Sequence, residues 1–149
     1  MYTQPNLRVE AREEAMTDFN AKVIQEFRAN DGIVGGRFKD MTLLLLHTRG
    51  AKTGRLHINP LATIKVGETQ VIAASNGGAD RHPDWYYNLI AKPEVIIELG
   101  SNKYLAQAEI TSEPERTELF EKIKTEYPGF ADYEARTSRV IPVIKLFLK

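Results

Sequence analysis

A chain of 149 residues fits one domain and is long enough to bury a sizeable core. Hydrophobic residues make up 42% and charged residues 27%, the balance of an ordinary globular protein, and 20 basic and 20 acidic side chains cancel to a formal net charge of zero. That balance argues against general nucleic-acid binding, which needs a basic excess, and the absence of cysteine excludes disulfides, thiolate metal sites and cysteine nucleophiles.

Residues 1–10 read as a flexible arm. Their polar continuation to Glu14 lacks the apolar core of a signal peptide, and the longest apolar run, Leu43 to Leu46, is far short of the ~20 residues of a spanning helix. A cytoplasmic chain is therefore expected. Over residues 11–30, Ala15, Phe19, Val23 and Phe27 recur every four positions, the stripe of a helix that covers a sheet, and Asn30-Asp31-Gly32 ends it. The same stripe would also suit a ligand-cleft lid or peripheral contact with the inner face of the cell membrane.

Residues 41–48 form an apolar run of strand length. Leu56, Ile58, Ala62, Ile64 and Val66 then fall on even positions, a second strand with Pro60 marking an edge or distortion. Gly67-Glu68 turns into a third strand over 70–75, and 94–99 is a fourth. Alternation of Tyr104, Ala106, Ala108 and Ile110 gives a fifth, and 140–147 a sixth. Helices interrupt this series: one near Pro83, with Asp80 as an acidic cap candidate, and one opened by Ser112-Glu113-Pro114-Glu115, read as a capping box. A short helix follows in "YPGFADYEARTSR". Six strands joined mostly as hairpins, with helices outside them, predict an α+β antiparallel sheet or small barrel in a single domain.

Three segments can carry chemistry. In "HTRGAKTGRLHINPL", Lys52-Thr53 precedes the second glycine and the sequence after it alternates like a strand, which removes the Walker-type reading. Two readings stay open: a plain hairpin, with Gly50 and Gly54 accepting positive φ, or a hairpin in which Arg49, Lys52 and Arg55 surround exposed amides and hold an anion. In "ASNGGADRHPDWYYNL", a strand, Asn76-Gly77-Gly78 and a helix start make either an ordinary connection or a second anion site, with Trp85 as core or ligand-stacking residue. Tyr127, Phe130 and Tyr133, spaced by three, share one helix face, either in the core or as the aromatic wall of a pocket. His47, His57 and His82 lack metal-ligand spacing, so no metal is expected, and Ser75 lies outside any nucleophile-elbow pattern.

Together, "TRGAKTGRLHINPL", "ASNGGADRHPDWYYNLIAKPEV" and "YPGFADYEARTSRVIPVI" resemble the deazaflavin-dependent nitroreductase family of actinobacteria, the quinone and nitroimidazole reductases that use reduced coenzyme F420. The resemblance spans roughly residues 30–145. It implies a split β-barrel of about six mainly antiparallel strands with flanking helices and an N-terminal helix, the barrel core occupying 41–149. It implies a deazaflavin with a phosphate and a polyglutamate tail as hydride donor, FMN being the alternative cofactor. Carried onto this chain, the cofactor residues are Arg49, Lys52, Thr53, Gly54, Arg55, His57, Ile58, Asn59, Pro60 and Leu61 on the first segment. On the second they are Ser75, Asn76, Gly77, Gly78, Ala79, Pro83 and Trp85. Tyr127, Tyr133 and Ser75 are the catalytic candidates, the tyrosines facing a small hydrophobic acceptor: a quinone, an enone or a nitroaromatic. Ala51 and His57 stand where basic residues are common in the family, and Asn76 where a lysine is common; Arg49, Arg55 and Arg81 can replace some of that charge. Those departures keep a second reading alive, a non-catalytic flavin, deazaflavin or lipid-like ligand carrier of the same fold.

Overall fold

The computed structural model describes the backbone of residues 7–149 and the side chains from residue 18 onward. Helix α1 spans Leu7–Ala29, so residues 7–10, read as arm, are helical, and the rest of that arm lies outside the described residues. The strands are β1 (Leu43–Arg49), β2 (Leu56–Ala62), β3 (Ile64–Val66), β4 (Thr69–Ala73), β5 (Glu94–Leu99), β6 (Asn102–Ile110) and β7 (Val143–Leu148). Helix α2 (Asp84–Ala91) joins β4 to β5, while α3 (Glu115–Glu126) and α4 (Gly129–Ala135) join β6 to β7.

The strands form one antiparallel sheet in the order β2-β1-β5-β6-β7-β4-β3. Seven strands stand where six were expected, because the alternating run from Leu56 to Val66 changes partner. Its first part pairs with β1 and its last part with β4, at the opposite edge of the sheet. Thr63, the only residue between β2 and β3, is the switch point, and the sheet curls until its two edges meet there. Pro60 lies in β2, an edge strand, where its missing N–H leaves no ladder bond unmade.

Interior and exterior follow the pleat. Leu44, Leu46, Ile72, Ile97, Ile144 and Leu146 fill the barrel, and Trp85 and Leu89 of α2 close one end of it. Outside, Val23 and Phe27 pack on Leu43 and Leu45, and the α3–α4 pair packs Phe120, Ile123 and Phe130 on Val71 and Val143. Among the described residues of the α1 stripe, Val23 and Phe27 are spent on the barrel and Phe19 is exposed, its ring beside Phe38 under the Arg37 guanidinium. Among the described residues no helix is long and apolar enough to cross a membrane.

Two expected caps are made differently. Asp80 does not cap α2; its carboxylate accepts the Thr137 hydroxyl at 3.0 Å. At α3 the carboxylate of Glu113, not Ser112, accepts the Thr117 amide (2.9 Å) and hydroxyl (2.7 Å). A side chain oxygen just before the first turn satisfies an orphan donor either way.

The partner switch needs a polar staple, because a strand that leaves one edge for another strands its peptide groups in a buried place. The Thr63 amide donates to Thr42 O (2.9 Å), and its hydroxyl donates to Gln70 Oε1 (2.9 Å). Tyr127 closes the remainder: its hydroxyl donates to Thr63 O (2.8 Å) and accepts from the Thr42 amide (3.1 Å). Removing that one oxygen leaves a buried carbonyl and a part-buried amide unpaired. Tyr127→Phe should therefore lower the free energy of unfolding by about 1–3 kcal/mol in urea titration; an unchanged midpoint would show that the staple is dispensable.

A second polar group fastens α1. Glu98, on the outer face of β5, accepts Arg28 Nη2 (2.7 Å) and Nε (3.1 Å), and its Oε2 lies 2.6 Å from His47 Nε2 on β1. The Arg28 guanidinium is the main cause holding its carboxyl down from 4.5 to about 2; burial opposes this, and the His47 hydrogen bond adds to it. Because the folded value lies below the unfolded one, the stabilisation is present above pH ~4.5 and is lost as pH falls toward 2. The gap corresponds to about 3 kcal/mol. Acid titration of the wild type should show this loss, and Glu98→Gln should be less stable at pH 7 yet flatter between pH 5 and 2; parallel profiles would overturn the assignment.

Candidate functional site

Antiparallel pairing fixes where the loops emerge. β1, β4 and β6 run one way, and β2, β3, β5 and β7 the other. The loop after β1 and the loop after β4 therefore leave the barrel at the same end, the end closed by α2. The turns of the two glycine-containing segments singled out above, 47–61 and 73–88, therefore open at one end of the barrel.

The first loop is a hairpin connection. The Gly50 amide donates to Arg55 O (2.8 Å) and the Gly54 amide to Gly50 O (2.9 Å). Only Gly54 has positive φ, at 71°; Gly50 is needed for space, since a Cβ there would lie 2.5 Å from Thr53 Oγ1. The Ala51 amide donates to Asn88 Oδ1 on α2 (2.9 Å), which fastens the loop to the barrel cap. Asn88, buried in the last turn of α2, belongs to the second sequence segment, but nothing in the spacing assigned it this role. The amides of Lys52 and Thr53 have no partner among the described residues. Arg49, Lys52, Arg55 and His57 are exposed, while Ile58, Asn59, Pro60 and Leu61 are half-buried along β2.

The second loop is a tight turn with three successive positive φ values: Asn76 49°, Gly77 63° and Gly78 86°. Gly78 takes the close approach of α4. A Cβ on it would meet the Tyr133 carbonyl at 2.9 Å and Arg136 Cβ at 3.0 Å. Asn76 adopts its left-handed conformation with its side-chain amide donating to Arg81 O (3.1 Å), and Arg81 is itself paired with Asp84. The amides of Ser75, Asn76, Gly77 and Asp80 have no partner among the described residues, although Ser75 is buried.

The carbonyls of this loop are held by the segment after α4. Arg139 donates from Nη1 to Ala74 O (3.1 Å), from Nη2 to Ser75 O (2.7 Å) and from Nε to Ala79 O (2.8 Å). Its Nη1 also lies 2.9 Å from His82 Nδ1, and since a guanidinium only donates, that nitrogen is the acceptor and the proton of the neutral ring sits on Nε2. Burial, and then the Arg139 charge, push the His82 pKa down. Arg139 stood in the third sequence segment as one arginine among several; nothing in the spacing distinguished it.

The aromatic triad divides. Tyr127, Phe130 and Tyr133 do share one packed face, with Phe130 and Tyr133 edge-to-face at 5.3 Å between centroids. Only Phe130 and Tyr133 lie on α4, however; Tyr127 is the non-helical residue that follows α3, so the single helix face expected for all three does not form. Tyr127 lies at the seam with its hydroxyl engaged twice, so the acceptor-facing role expected of it conflicts with its hydrogen bonding. Tyr133 lies beside the second loop, and its hydroxyl makes no hydrogen bond to a described residue. Trp85 and Pro83 are buried, Trp85 in the barrel interior; they shape the site from below, which departs from the expected ligand contact. A cleft of about 310 Å³ between the 36–41 turn and Tyr127-Pro128-Gly129 includes none of the loop residues. Among the described residues no cluster of His, Asp and Glu could hold a metal ion.

Relatives share this architecture. Residues 20–147 match the family described as F420H(2)-dependent quinone reductase. The chain is 35% identical over 124 residues to F420H(2)-dependent quinone reductase Rv1261c of Mycobacterium tuberculosis (strain H37Rv), covering 80% of this chain and 83% of that protein. Among solved structures, an F420-H2 dependent reductase (FDR-A) superposes with a TM-score of 0.64 at 31% identity, over 70% of this chain and 92% of that one. A protein described as a domain-swapped dimer gives a TM-score of 0.66 at 29% identity, over 90% and 98% of the two chains. With the family match running through nearly all of the described residues, the chain belongs to the F420H(2)-dependent quinone reductase family.

Proposed function

We propose that the chain is an oxidoreductase that takes reduced coenzyme F420 as hydride donor and a quinone as acceptor, with enones and nitroaromatics as further acceptors of the same electrophilic kind. One observation carries the reading: two loops at one barrel end offer six amides without a partner among the described residues, flanked by the exposed cations Arg49, Lys52 and Arg55. An anionic tail and a polar, carbonyl-rich ring fit that combination, since amides turned outward and flexible cations both favour negative charge.

When bound, reduced deazaflavin supplies the hydride; the protein supplies binding, orientation and hydrogen bonds. Lys52 and Arg55, with the Lys52 and Thr53 amides, hold the anionic tail. The Ser75–Ala79 backbone holds the ring, and half-buried Ile58, Asn59, Pro60 and Leu61 supply the wall along β2. The Ser75 hydroxyl, without a partner among the described residues, can bond either the ring or the acceptor. Tyr133 donates its hydroxyl hydrogen bond to the acceptor oxygen as negative charge develops there. Its partner-free hydroxyl supports this role, and Tyr127 serves the seam instead. Among the described residues the loop end holds no acid–base dyad, which suits a reaction whose hard chemistry the cofactor carries; the His47–Glu98 pair lies on the outer face of the sheet.

The second reading, a ligand carrier without turnover, draws on Ala51, His57 and Asn76, which thin the positive charge around the loops. Fluorescence titration with coenzyme F420, then FMN, followed by turnover of menadione, a cyclohexenone and a nitroaromatic, separates the two. Lys52→Ala should weaken F420 binding about tenfold, as loss of one charge-assisted contact predicts, and leave kcat with menadione nearly unchanged. Tyr133→Phe should lower kcat and leave the F420 affinity intact. Wild-type protein that binds F420 yet turns over none of the acceptors would favour the carrier, and protein that fails to bind it at tens of micromolar would sink the reductase reading.

A further inference from the structure

We propose that Arg139 is the positioning residue of the second loop: by holding the carbonyls of Ala74, Ser75 and Ala79 on one side, it aims the amides of Ser75, Asn76 and Asp80 out of the other, toward the cofactor. The inference rests on the cofactor reading above.

The argument begins with the peptide unit. In a planar trans peptide the carbonyl of one residue and the N–H of the next point in opposite directions. Arg139 binds three carbonyls, those of Ala74, Ser75 and Ala79. Their partner N–H groups belong to Ser75, Asn76 and Asp80, and all three lack an acceptor among the described residues. Ser75 is buried, where a backbone amide is nearly always paired, while Asn76 and Asp80 are exposed and present their amides to solvent. Three of the loop's four unpaired amides lie across the peptide plane from this single guanidinium; the fourth, Gly77, follows the Asn76 carbonyl, which the Ala79 amide takes.

The guanidinium is well suited to this work. It has five donors in a fixed planar fork and no acceptor, so it can gather several carbonyls without competing for the amides. His82 Nδ1 takes a further N–H and fixes the plane from the far side. Thr137 completes the hold: its hydroxyl accepts the Arg139 amide at 3.2 Å and donates to Asp80 at 3.0 Å. Arg136 reaches Gly77 O at 3.5 Å, a weaker contact. Arg139 thus also couples the helix carrying Tyr133 to the loop, so donor and acceptor sides share one reference.

A lysine in its place is a single point donor and can serve one or two of these carbonyls, but not the planar set. The expected order of coenzyme F420 affinity is wild type, then Arg139→Lys, then Arg139→Ala, the last weakened at least tenfold in fluorescence titration. Millimolar guanidinium should restore part of the Arg139→Ala affinity, a rescue that a general loss of stability would not show. In parallel, amide resonances of residues 75–80 in ligand-free protein report the aim of the loop directly. They should shift and broaden in Arg139→Ala while resonances of β1 and β5 stay in place. Wild-type F420 affinity in Arg139→Ala, or unmoved 75–80 amides, would overturn the proposal and leave the cofactor reading standing. If wild-type protein itself binds no F420, the cofactor reading fails, and the aiming of these amides at that cofactor is refuted with it.

Discussion

The barrel depends on one awkward place, the point where the strand from Leu56 to Val66 changes partners. Continuous pairing would have satisfied every peptide group along it; switching edges at Thr63 does not. The oxygen that resolves the conflict comes from Tyr127, 64 residues away, with one bond donated and one accepted. Because that tyrosine sits between α3 and α4, closing the barrel also fixes the base of α4. The helix then rises to the loop end, where Gly78 lets it dock and where residues 136–139 hold the loop carbonyls. Closure of the sheet and placement of the site are consequences of the same contact.

Charge is used sparingly, which fits a neutral chain. The most strongly shifted carboxylate, Glu98, serves to attach α1 and lies on the outer face of the sheet, away from the loops. At the loop end the cations Arg49, Lys52 and Arg55 are exposed, whereas half-buried Arg139 points its charge at carbonyl oxygens. One group attracts an anion from solvent and the other organises backbone. Exchange between the two roles would fail, since an exposed flexible lysine cannot hold three carbonyls, and a guanidinium sunk among carbonyls cannot reach a tail.

Much of the fold was legible because period-two alternation survives wherever one face is buried. β5 was read with its observed bounds, and β1, β4, β6 and β7 within three residues at either end. What alternation could not reveal was the split at Thr63, since a strand keeps its pleat when its partner changes. The loop segments were legible as tight connections through their glycines, with Gly54, Gly77 and Gly78 at positive φ. Their supports were not: Asn88, Arg139 and the seam role of Tyr127 depend on contacts across 37 to 85 residues, which local spacing does not encode. The helix-face argument for Tyr127, Phe130 and Tyr133 grouped side chains that do pack in one cluster, but it put Tyr127 on a helix that begins only at Gly129; Tyr127 ends α3 instead, and its hydroxyl has other neighbours than that of Tyr133.

The departures at Ala51, His57 and Asn76 bear differently on the two loops. On the proposed function, recognition around the first loop rests on side-chain charge, which Arg49, Lys52 and Arg55 supply where Ala51 and His57 do not. The second loop presents backbone amides, and their direction is set by conformation. Asn76 tolerates the positive φ the turn needs and bonds Arg81 O, so a change of side chain there alters local charge while leaving the amides aimed as before. On the proposed function, a ring held by main chain is the more robust half of the site, and salt should weaken a tail held by exposed cations far more than that ring contact.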